Sequence, residues 1–485
     1  MIYLPKNSLN RLFLALVSLL AFFLILDFEF AIGGISGSGE RVGYSSALVG
    51  DVLVRNASQV VSIKVSDLLI LAICICLSVA VAFQPRLLAV KKATFLQYAL
   101  LACFVVVGFV ALLWNSTLYT SAQFLVCLVY LAKFAEISLI FVFVCAFFRL
   151  GGNARTLFGS MLAAGLIAAV LGTVNAFTQV FTGWLISDRV QFFGILVLLV
   201  PVWWSAHLSG WRLYESHGSS LPWFLIGTIL LGISILLCGK RTVILGLVVS
   251  FGYVAWSHLN KRSIAKITVT ILTLSIIAIP FVVEQIERSF GRSSEYIWQG
   301  LESVYSSRIA ESWIGAIPIS GLDYSITERL GRWLVATDHF VEKPFIGVGF
   351  FGTPYVYGFI PDSAPFQLLV ETGLLGSFAM FMFFMGAWRR SKQSLHPLWG
   401  GDGGVGFRGA MIGFIVMSLT ANTVYVFNLF GMFLTLAAIN HALHGSARRS
   451  NVSIDRVAHG GRSSAARLSI QTFPAVRQII DIDPR

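Results

Sequence analysis

The sequence predicts an all-helical, polytopic membrane protein with about twelve spans, and three observations support this fold class. Hydrophobic residues make up 56% of the 485 positions and charged residues only 12%, whereas soluble domains carry roughly 25% charged residues. Apolar runs of about 17 to 25 residues, long enough to cross a hydrocarbon core of roughly 30 Å, recur along most of the chain. Basic residues lie in alternate loops between these runs.

Each of these apolar runs is predicted to be one membrane span. They are 12–26, 68–84, 95–114, 122–148, 157–181, 190–208, 221–239, 242–259, 264–283, 365–388, 407–424 and 427–444. The last two are so close that eleven spans is an alternative. The first run follows Lys6 and Arg11, as in a signal peptide, but Asp27 and Glu29 come after it where a cleavage site would have small residues. We therefore predict an uncleaved first helix.

The basic residues predict the orientation, because loops on the inner face are enriched in Lys and Arg. The basic loop residues are Arg86, Lys91, Lys92, Arg149, Arg155, Arg212, Lys261, Arg262, Lys266, Arg389, Arg390 and Lys392, and the tail adds Arg448, Arg449 and Arg456. Both termini are therefore predicted to be cytoplasmic. Acidic residues gather in two of the opposite loops, which agrees with this orientation.

Four regions follow from these spans. Residues 1–283 hold nine helices and a Gly/Ser-rich, partly irregular outer loop at 27–67. Residues 284–364 form a large outer loop, whose first part mixes aromatic and charged residues and predicts one or two amphipathic surface helices. Residues 365–444 hold the C-terminal spans, and 445–485 form a flexible, basic tail. No internal repeat is evident, which disfavours a transporter.

Charge and cysteine placement exclude several classes of site. The net charge of +12 is spread over many inner loops and the tail, so it indicates topology and anionic lipid, and no nucleic-acid partner. All six cysteines lie in or beside spans, away from positions that suit a disulfide or a metal-ligand pair. The outer carboxylates and histidines show no convincing ligand spacing, so neither a metal nor another cofactor is expected. Within the fourth span, Lys133 and Glu136 are three apart and predict an ion pair, with an ion relay as the alternative.

The most informative segment is 329–376, a polar and glycine-rich stretch in an apolar chain. Its first part predicts a helix that carries Arg329, Arg332 and Trp333 and ends before Pro344. Arg329 and Arg332 are three apart, so they can address one anion together. The glycines that follow permit tight turns and close backbone approach, and Asp362 stands at the mouth of the next span.

This segment resembles the O-antigen ligase and polysaccharide polymerase superfamily, which includes Wzy-type polymerases, lipopolysaccharide O-antigen ligases and bacterial O-oligosaccharyltransferases. The family shows an Arg and a Trp four residues apart, then Pro-Leu-x-Gly-Val-Gly, then a helix with Leu-Leu-x-Glu-x-Gly-Leu-Leu-Gly. The matches here are Arg329 with Trp333, PFIGVG at 344–349 and LLVETGLLG at 368–376. Two further similarities are KRTVILGL at 240–247 and Arg189 in SDRVQFFG.

One position departs from the ligase pattern. Family ligases usually carry His-Asn where this chain has Asp362 and Ser363. Several exopolysaccharide polymerases of the superfamily have Asp there, so the departure favours a polymerase over a ligase.

The resemblance implies a glycosyltransferase of the bacterial inner membrane that works on the outer face. Its donor would be an undecaprenyl-diphosphate-linked oligosaccharide, its acceptor a sugar hydroxyl, and its further partners membrane lipid and a chain-length regulator or export complex. Arginine suits a diphosphate because its planar fork binds phosphate oxygens bidentately. The candidate diphosphate-binding residues are Arg189, Arg241 and Arg329, with Arg332 and Lys240 in second rank. Asp362 is the candidate general base, with Arg241 and Arg329 the other candidate catalytic residues. Glu371 is a supporting residue suited to bracing an arginine.

Each assignment has a simpler structural alternative. Arg189 and Arg241 could be interfacial residues whose side chains reach lipid headgroups. Asp362 could be only the N-cap of the span that follows, and Glu371 could equally be a structural partner of other residues. For the whole chain, the alternatives are an O-antigen ligase that acts on lipid A-core, a transporter or flippase of lipid-linked glycans, and a non-catalytic subunit of a secretion complex.

Overall fold

The described part of the chain is helical, apart from two short strands and the connections. The structure is a computed structural model and describes residues 6–26, 29–31, 62–83, 92–178, 189–209, 221–237, 241–258, 324–358, 360–393, 396, 398 and 404–460. The elements in order are α1 (Lys6–Phe23), β1 (Glu29–Ala31), β2 (Ser62–Lys64), α2 (Val65–Phe83), α3 (Lys92–Trp114), α4 (Ser121–Arg149), α5 (Ala154–Thr178), α6 (Arg189–Leu208), α7 (Leu221–Leu237), α8 (Arg241–His258), α9 (Tyr324–Glu342), α10 (Thr353–Val356), α11 (Ala364–Ser391), α12 (Val405–Thr420) and α13 (Phe427–Gly460).

These helices confirm the predicted all-helical membrane fold. Eleven of the twelve predicted spans coincide with a helix, and the remaining one, 264–283, lies outside the described residues together with the amphipathic helices expected after it. Within the described chain, five helices are long and apolar enough to cross a membrane by length and composition, and five shorter apolar helices accompany them. The five long ones are Val65–Ala82, Thr94–Trp114, Ser121–Arg149, Ala154–Leu171 and Ala364–Ser391.

Two regions contain regular structure that the sequence did not specify. β1 and β2 pair antiparallel, with Glu29 opposite Lys64, so the two ends of the outer loop, predicted to be partly irregular, form a two-stranded ladder. α13 stays helical as far as Gly460, beyond the predicted span end at 444, and its described residues from Gly445 onward belong to a separate unit. Residues from 461 onward lie outside the described chain, so the flexibility of the tail stays a prediction.

α6, α8 and α12 pack against one another, and their contacts fix their relative directions. Met417 near the end of α12 lies beside Gly194 near the start of α6 and beside Gly246 near the start of α8. At the opposite end, Ser205 Oγ of α6 lies 2.9 Å from His258 Nε2 of α8. α6 and α8 are therefore parallel, and both begin at the end of the bundle where α12 finishes.

An aromatic core anchors the segment after α9 in the bundle. Phe350 is fully buried, with its ring centroid 5.2 Å from that of Phe134, 5.9 Å from that of Phe104 and 5.0 Å from that of Tyr425. Next to it, the ring of Phe351 stacks on Tyr130 of α4 at 3.7 Å. Because aromatic side chains bury large areas, this glycine-rich segment is held by the core although it has little regular structure.

The predicted ion pair of α4 is present and has a third member. Lys133 Nζ lies 3.1 Å from Glu136 Oε2 and also contacts Asp67 Oδ1 in the first turn of α2. Asp67, expected at the end of the outer loop, therefore belongs to a helix. Opposite charges in an apolar span reduce each other's cost of burial, so this cluster ties α2 to α4.

Candidate active site

α9 presents the first site residues and ends where the sequence predicts. It runs to Glu342, before Pro344, since a proline disfavours helical backbone in the residue that precedes it. Arg332 Nη1 of this helix lies 3.1 Å from Asp362 Oδ2 and 3.4 Å from the carbonyl oxygen of Ile360. α9 and the start of α11 are thus joined by an ion pair.

The segment 344–352, which we term the glycine loop, crosses α11 through backbone hydrogen bonds. The N–H groups of Val348 and Gly349 donate to the carbonyls of Val370 and Glu371 over 2.9 and 2.8 Å. In return, the N–H groups of Leu374 and Leu375 donate to the carbonyls of Pro344 and Phe345 over 2.7 and 3.2 Å. The helical ladder is interrupted there, and the loop satisfies the backbone groups that the interruption frees.

Two glycines make this crossing possible. Gly373 has φ 63° and ψ −163°, and a Cβ placed on it would lie 2.4 Å from the carbonyl carbon of Phe345. Gly347 has φ 73°, and its Cβ would lie 2.4 Å from the carbonyl oxygen of Val370. A side chain at either position would meet both unfavourable backbone conformation and backbone atoms. The Gly-Val-Gly and Glu-x-Gly patterns of the sequence are therefore two halves of one contact.

Glu371 lies at the centre of this contact and is completely buried. Its Oε2 accepts from the Phe351 N–H and the Tyr425 hydroxyl, each over 2.7 Å. Its Oε1 accepts from Gln367 Nε2 over 2.9 Å and from the Thr353 hydroxyl. Among the described residues the partners of Glu371 are four uncharged donors, as a structural role would have it, and its bracing of an arginine stays a prediction. Four donors match the acceptor capacity of a carboxylate, so Glu371 fixes the glycine loop.

Tyr425 and Tyr119 stay protonated in this environment and can act as donors. Burial, followed by the charge of Glu371, raises the pKa of Tyr425 well above its usual value. Burial likewise raises the pKa of Tyr119, whose hydroxyl donates to the carbonyl of Val348 over 2.6 Å. Both phenols therefore stabilise the glycine loop from outside it.

A support for the loop that the sequence analysis missed comes from the connection between α3 and α4. Asn115 is buried, and its Nδ2 donates to the carbonyl of Gly347 over 3.0 Å. Lys343 Nζ donates to Asn115 Oδ1 over 2.5 Å. A lone Asn between two apolar spans is a weak sequence signal of a structural role. Its polar amide at the end of an apolar helix is the one feature that could have indicated this role.

Asp362 does not act as the N-cap of α11. The helix begins at Ala364, its N-cap is Ser363, and the Ser363 side chain makes no capping hydrogen bond. The Asp362 side chain is 36% exposed and that of Arg332 24%, so the carboxylate is held by a cation and still reachable. Arg332, expected to bind diphosphate in second rank, is engaged by this carboxylate in the structure.

The backbone brings Arg241 to the same end of the bundle as Asp362. Arg241 is the first residue of α8, and its neighbour Thr242 accepts a hydrogen bond from the Thr420 hydroxyl over 3.0 Å. The carbonyl of Ala421 accepts from the Ala364 N–H over 3.2 Å. Two hydrogen bonds and a few residues of chain therefore connect Arg241 to the head of α11.

For Arg189, Arg241 and Arg329 the structure describes the backbone position. Arg189 begins α6, which is parallel to α8, so its backbone also lies at this end. Arg329 lies one turn before Arg332 in α9. The side chains of Arg189, Arg241 and Arg329 and the whole of Lys240 fall outside what the structure describes. Their convergence on one anion stays a prediction.

Metal ligands do not cluster in the described part of the chain. No group of three or more His, Cys, Asp or Glu side chains among the described residues could hold a metal ion. The described cysteines are Cys74, Cys76, Cys103, Cys127 and Cys145, and all of them are free thiols. Cys127 Sγ instead lies 3.4 Å from the carbonyl oxygen of Phe351 and supports the glycine loop.

Fold and site together define a polytopic helical membrane protein with an organised polar site at one end of its bundle. Residues 226–382 match the family described as O-Antigen ligase. The match runs from α7 into α11 and contains Arg241, Arg329, the glycine loop, Asp362 and Glu371. The resemblance inferred from the motifs is thereby confirmed for these residues. No curated protein matches the chain.

Proposed function

We propose that the chain is a polysaccharide polymerase that joins oligosaccharide repeat units carried on undecaprenyl diphosphate, for an exopolysaccharide or a related surface polysaccharide. The family match supports a membrane enzyme of the glycosyltransferase type that acts on lipid-linked glycans. The observation that carries the finer proposal is the ion pair between Arg332 and Asp362 within the matched segment. It orients a reachable carboxylate where family ligases carry histidine.

Asp362 acts as the general base in this proposal. The acceptor hydroxyl attacks the anomeric carbon of the donor sugar, and its proton passes to the Asp362 carboxylate. The bond between that carbon and the diphosphate oxygen breaks, and the undecaprenyl diphosphate leaves with the electron pair. The Asp362 carboxylate is accessible to the acceptor because its side chain is 36% exposed, and the ion pair with Arg332 over 3.1 Å fixes its orientation.

The leaving diphosphate gains negative charge and needs fixed positive groups beside it. Arg241 and Arg189 begin α8 and α6, so each stands at a helix N-terminus, where the helix dipole adds partial positive charge. Arg329 adds a third guanidinium from α9. Arg332 is paired with Asp362 and orients this base, and Lys240 would serve beside Arg241.

The proposed setting is the bacterial inner membrane, with both termini in the cytoplasm and the site on the outer face. The alternation of basic loops supports this orientation. A chain-length regulator or export complex would be a partner there. A transporter of lipid-linked glycans is disfavoured by the family match.

The transfer reaction tests the proposal directly. Purified chain in detergent should lengthen undecaprenyl-diphosphate-linked repeat units without any second compartment, and Asp362→Asn should lower kcat by about 10²- to 10⁴-fold. Asp338→Asn is the matched control, because it makes the same change at an exposed position of α9. Wild-type rates in Asp362→Asn would remove Asp362 from the mechanism, and the absence of any product from active, folded protein would reject the enzyme.

An O-antigen ligase is the second candidate, since the matched family is described by that activity. The two enzymes differ in the acceptor. Deletion of a polymerase leaves single repeat units on lipid A, or only unpolymerised repeats, whereas deletion of a ligase removes all attachment. Gel profiles of the surface polysaccharide in a deletion strain therefore separate them.

A further inference from the structure

Four buried polar atoms around the head of α11 have no hydrogen-bond partner among the described residues. They are Trp333 Nε1, Ser363 Oγ, Gln367 Oε1 and Asn422 Oδ1. Ser363 and Gln367 are almost completely buried as residues, at 1% and 0% exposure. Buried polar side-chain atoms in folded proteins are nearly always hydrogen-bonded, and leaving one unpaired costs about 1–3 kcal/mol.

These four side chains belong to one place in the fold. Ser363 follows Asp362 directly, and Gln367 lies one turn further along α11, where its N–H donates to the carbonyl of Ser363 over 3.0 Å. The Ala364 N–H donates to the carbonyl of Ala421, which brings Asn422 beside them. Trp333 stacks on Phe366 in the first turn of α11, with ring centroids 5.4 Å apart and planes at 16°.

The chemistry of the four atoms selects an uncharged, hydroxyl-rich ligand. Trp333 can only donate, the oxygens of Gln367 and Asn422 can only accept, and a Ser hydroxyl does both. A sugar hydroxyl also donates and accepts, so several hydroxyls of one sugar can serve the whole set. A diphosphate carries acceptors alone, and the two amide oxygens would repel it. The neighbouring Asp362 carboxylate adds to this repulsion.

We propose that Trp333, Ser363, Gln367 and Asn422 form the subsite for the acceptor sugar, beside the base Asp362. This inference rests on the proposed function and adds to it the position and the polarity of the acceptor. Specificity would follow from the pattern of unpaired groups, because a ligand that lacks the matching hydroxyl leaves a buried group unsatisfied.

The packing of α9 indicates how a sugar enters. The four atoms are closed to solvent in this structure, and Trp333 of α9 stacks on the first turn of α11 through Phe366. α9 contacts α11 and the glycine loop through a small apolar cluster of its own around Ala336, Val348 and Val370, separate from the main core. Elements with few buried apolar contacts open at low free-energy cost, so α9 can move away from α11 to admit the ligand.

Two substitutions remove one unpaired group each. Ser363→Ala deletes a hydroxyl that makes no capping bond, and Trp333→Phe keeps a ring to stack on Phe366 but removes the N–H. Ser377→Ala is the matched control, because Ser377 Oγ is also buried without a described partner but lies roughly 20 Å further along α11 at 1.5 Å per residue.

The experiment measures binding of a defined probe to the full-length protein in detergent. The probe is the free oligosaccharide released by mild acid from the lipid-linked repeat unit of the producing cells, titrated by calorimetry. We expect Ser363→Ala and Trp333→Phe each to weaken its binding by about 2- to 10-fold, the loss of one net hydrogen bond. Ser377→Ala should bind it as the wild type does, and inorganic pyrophosphate should bind all four proteins equally.

A purely structural role gives a different result. Removing an unpaired buried group should then leave binding unchanged and keep or raise the melting temperature. Unchanged oligosaccharide binding in both variants overturns the subsite, and so does an effect of equal size on pyrophosphate. Because binding needs no turnover, either outcome leaves the polymerase proposal standing if the wild type extends lipid-linked repeats. Wild-type protein that neither binds the oligosaccharide nor extends it would overturn both proposals.

Discussion

The backbone N–H of Phe351 donates a hydrogen bond to the carboxylate of Glu371 over 2.7 Å, between residues twenty positions apart. This bond fixes Phe351 in a left-handed conformation with φ 56°, which is rare for a bulky residue. The strained residue stacks on Tyr130, so a buried carboxylate in α11 positions an aromatic ring against α4. Conformations of this kind persist only where the surroundings enforce them.

Glu371→Gln should destabilise the protein although it preserves the shape of the side chain. One carboxylate oxygen accepts from the Phe351 N–H and the Tyr425 hydroxyl, and the other from the Gln367 amide and the Thr353 hydroxyl. A Gln at 371 has one oxygen and one NH₂ group that donates, so one of these two pairs of donors loses its acceptor and must rearrange, which should cost about 1–3 kcal/mol. The melting temperature in detergent measures this cost. Glu342→Gln, at an exposed carboxylate, should melt as the wild type does, and equal melting of both variants would contradict the role of Glu371.

Gly373→Ala should disrupt the crossing between α11 and the glycine loop. The added Cβ would lie 2.4 Å from a backbone atom of Phe345, at a φ of 63°, so the four backbone bonds of the crossing cannot all survive. We expect a loss of at least about 2 kcal/mol and much reduced yield of folded protein. Gly232→Ala is the control, because nothing lies within 4 Å of its Cβ and alanine favours helix. Folded yield and melting temperature report both effects.

Lys133→Met should weaken the attachment of α2 to α4. The substitution leaves Asp67 and Glu136 in an apolar region without their shared cation. Removing one partner of a buried pair costs about 3–5 kcal/mol, and the partial exposure of these groups should reduce this to about 1–3 kcal/mol. Lys133→Arg keeps the charge and should retain most of the stability. The melting temperatures of both variants measure these losses. A Lys133→Met protein as stable as the wild type would show that the cluster contributes nothing to stability.

His396, between α11 and α12, should make stability depend on pH. Burial, followed by the charge of Arg155, lowers the pKa of His396 to about 4, and its Nδ1 accepts from the Leu398 N–H over 3.2 Å. A depressed folded-state pKa means that the stabilisation is complete above the unfolded pKa of roughly 6.5 and is lost as pH falls toward about 4.

The variant His396→Asn isolates this dependence. Asparagine keeps an acceptor for Leu398 but does not titrate. Its melting temperature should therefore fall less than that of the wild type between pH 7 and pH 4.5, while the two proteins differ little above pH 7. Parallel curves across this range would exclude His396 as the source.

The sequence predicted the helices well because the features that define a helix are local in the sequence. Apolar length determines a span, and Pro344 determines where α9 ends. The partners that Glu371 takes could not be predicted, because they come from the glycine loop, the start of α10, α11 itself and the connection between α12 and α13. A single sequence does not show which uncharged donor of a distant segment will contact a given carboxylate. A carboxylate in an apolar helix instead leads one to expect a cation as its partner.

In the candidate site, too, the residues could be selected from the sequence but their contacts could not. Motif spacing was enough to select Asp362 and Arg332 separately, but their contact joins a loop helix to the mouth of a span across thirty residues. The unpaired atoms of Ser363 and Gln367 could not be foreseen at all, because an unsatisfied group is defined by what surrounds it.

The sequence by itself determined the membrane-spanning helical fold, the family of residues 226–382 and the residue types of the site, since hydrophobic length, glycine and arginine act through local chemistry. Only the tertiary structure decided that Glu371 holds the glycine loop, that Arg332 pairs with Asp362, and that Thr420 and Ala421 at the C-terminal end of α12 link the start of α8 to the start of α11. Those are relations between distant segments, and they depend on which surfaces the packed bundle brings within hydrogen-bonding distance.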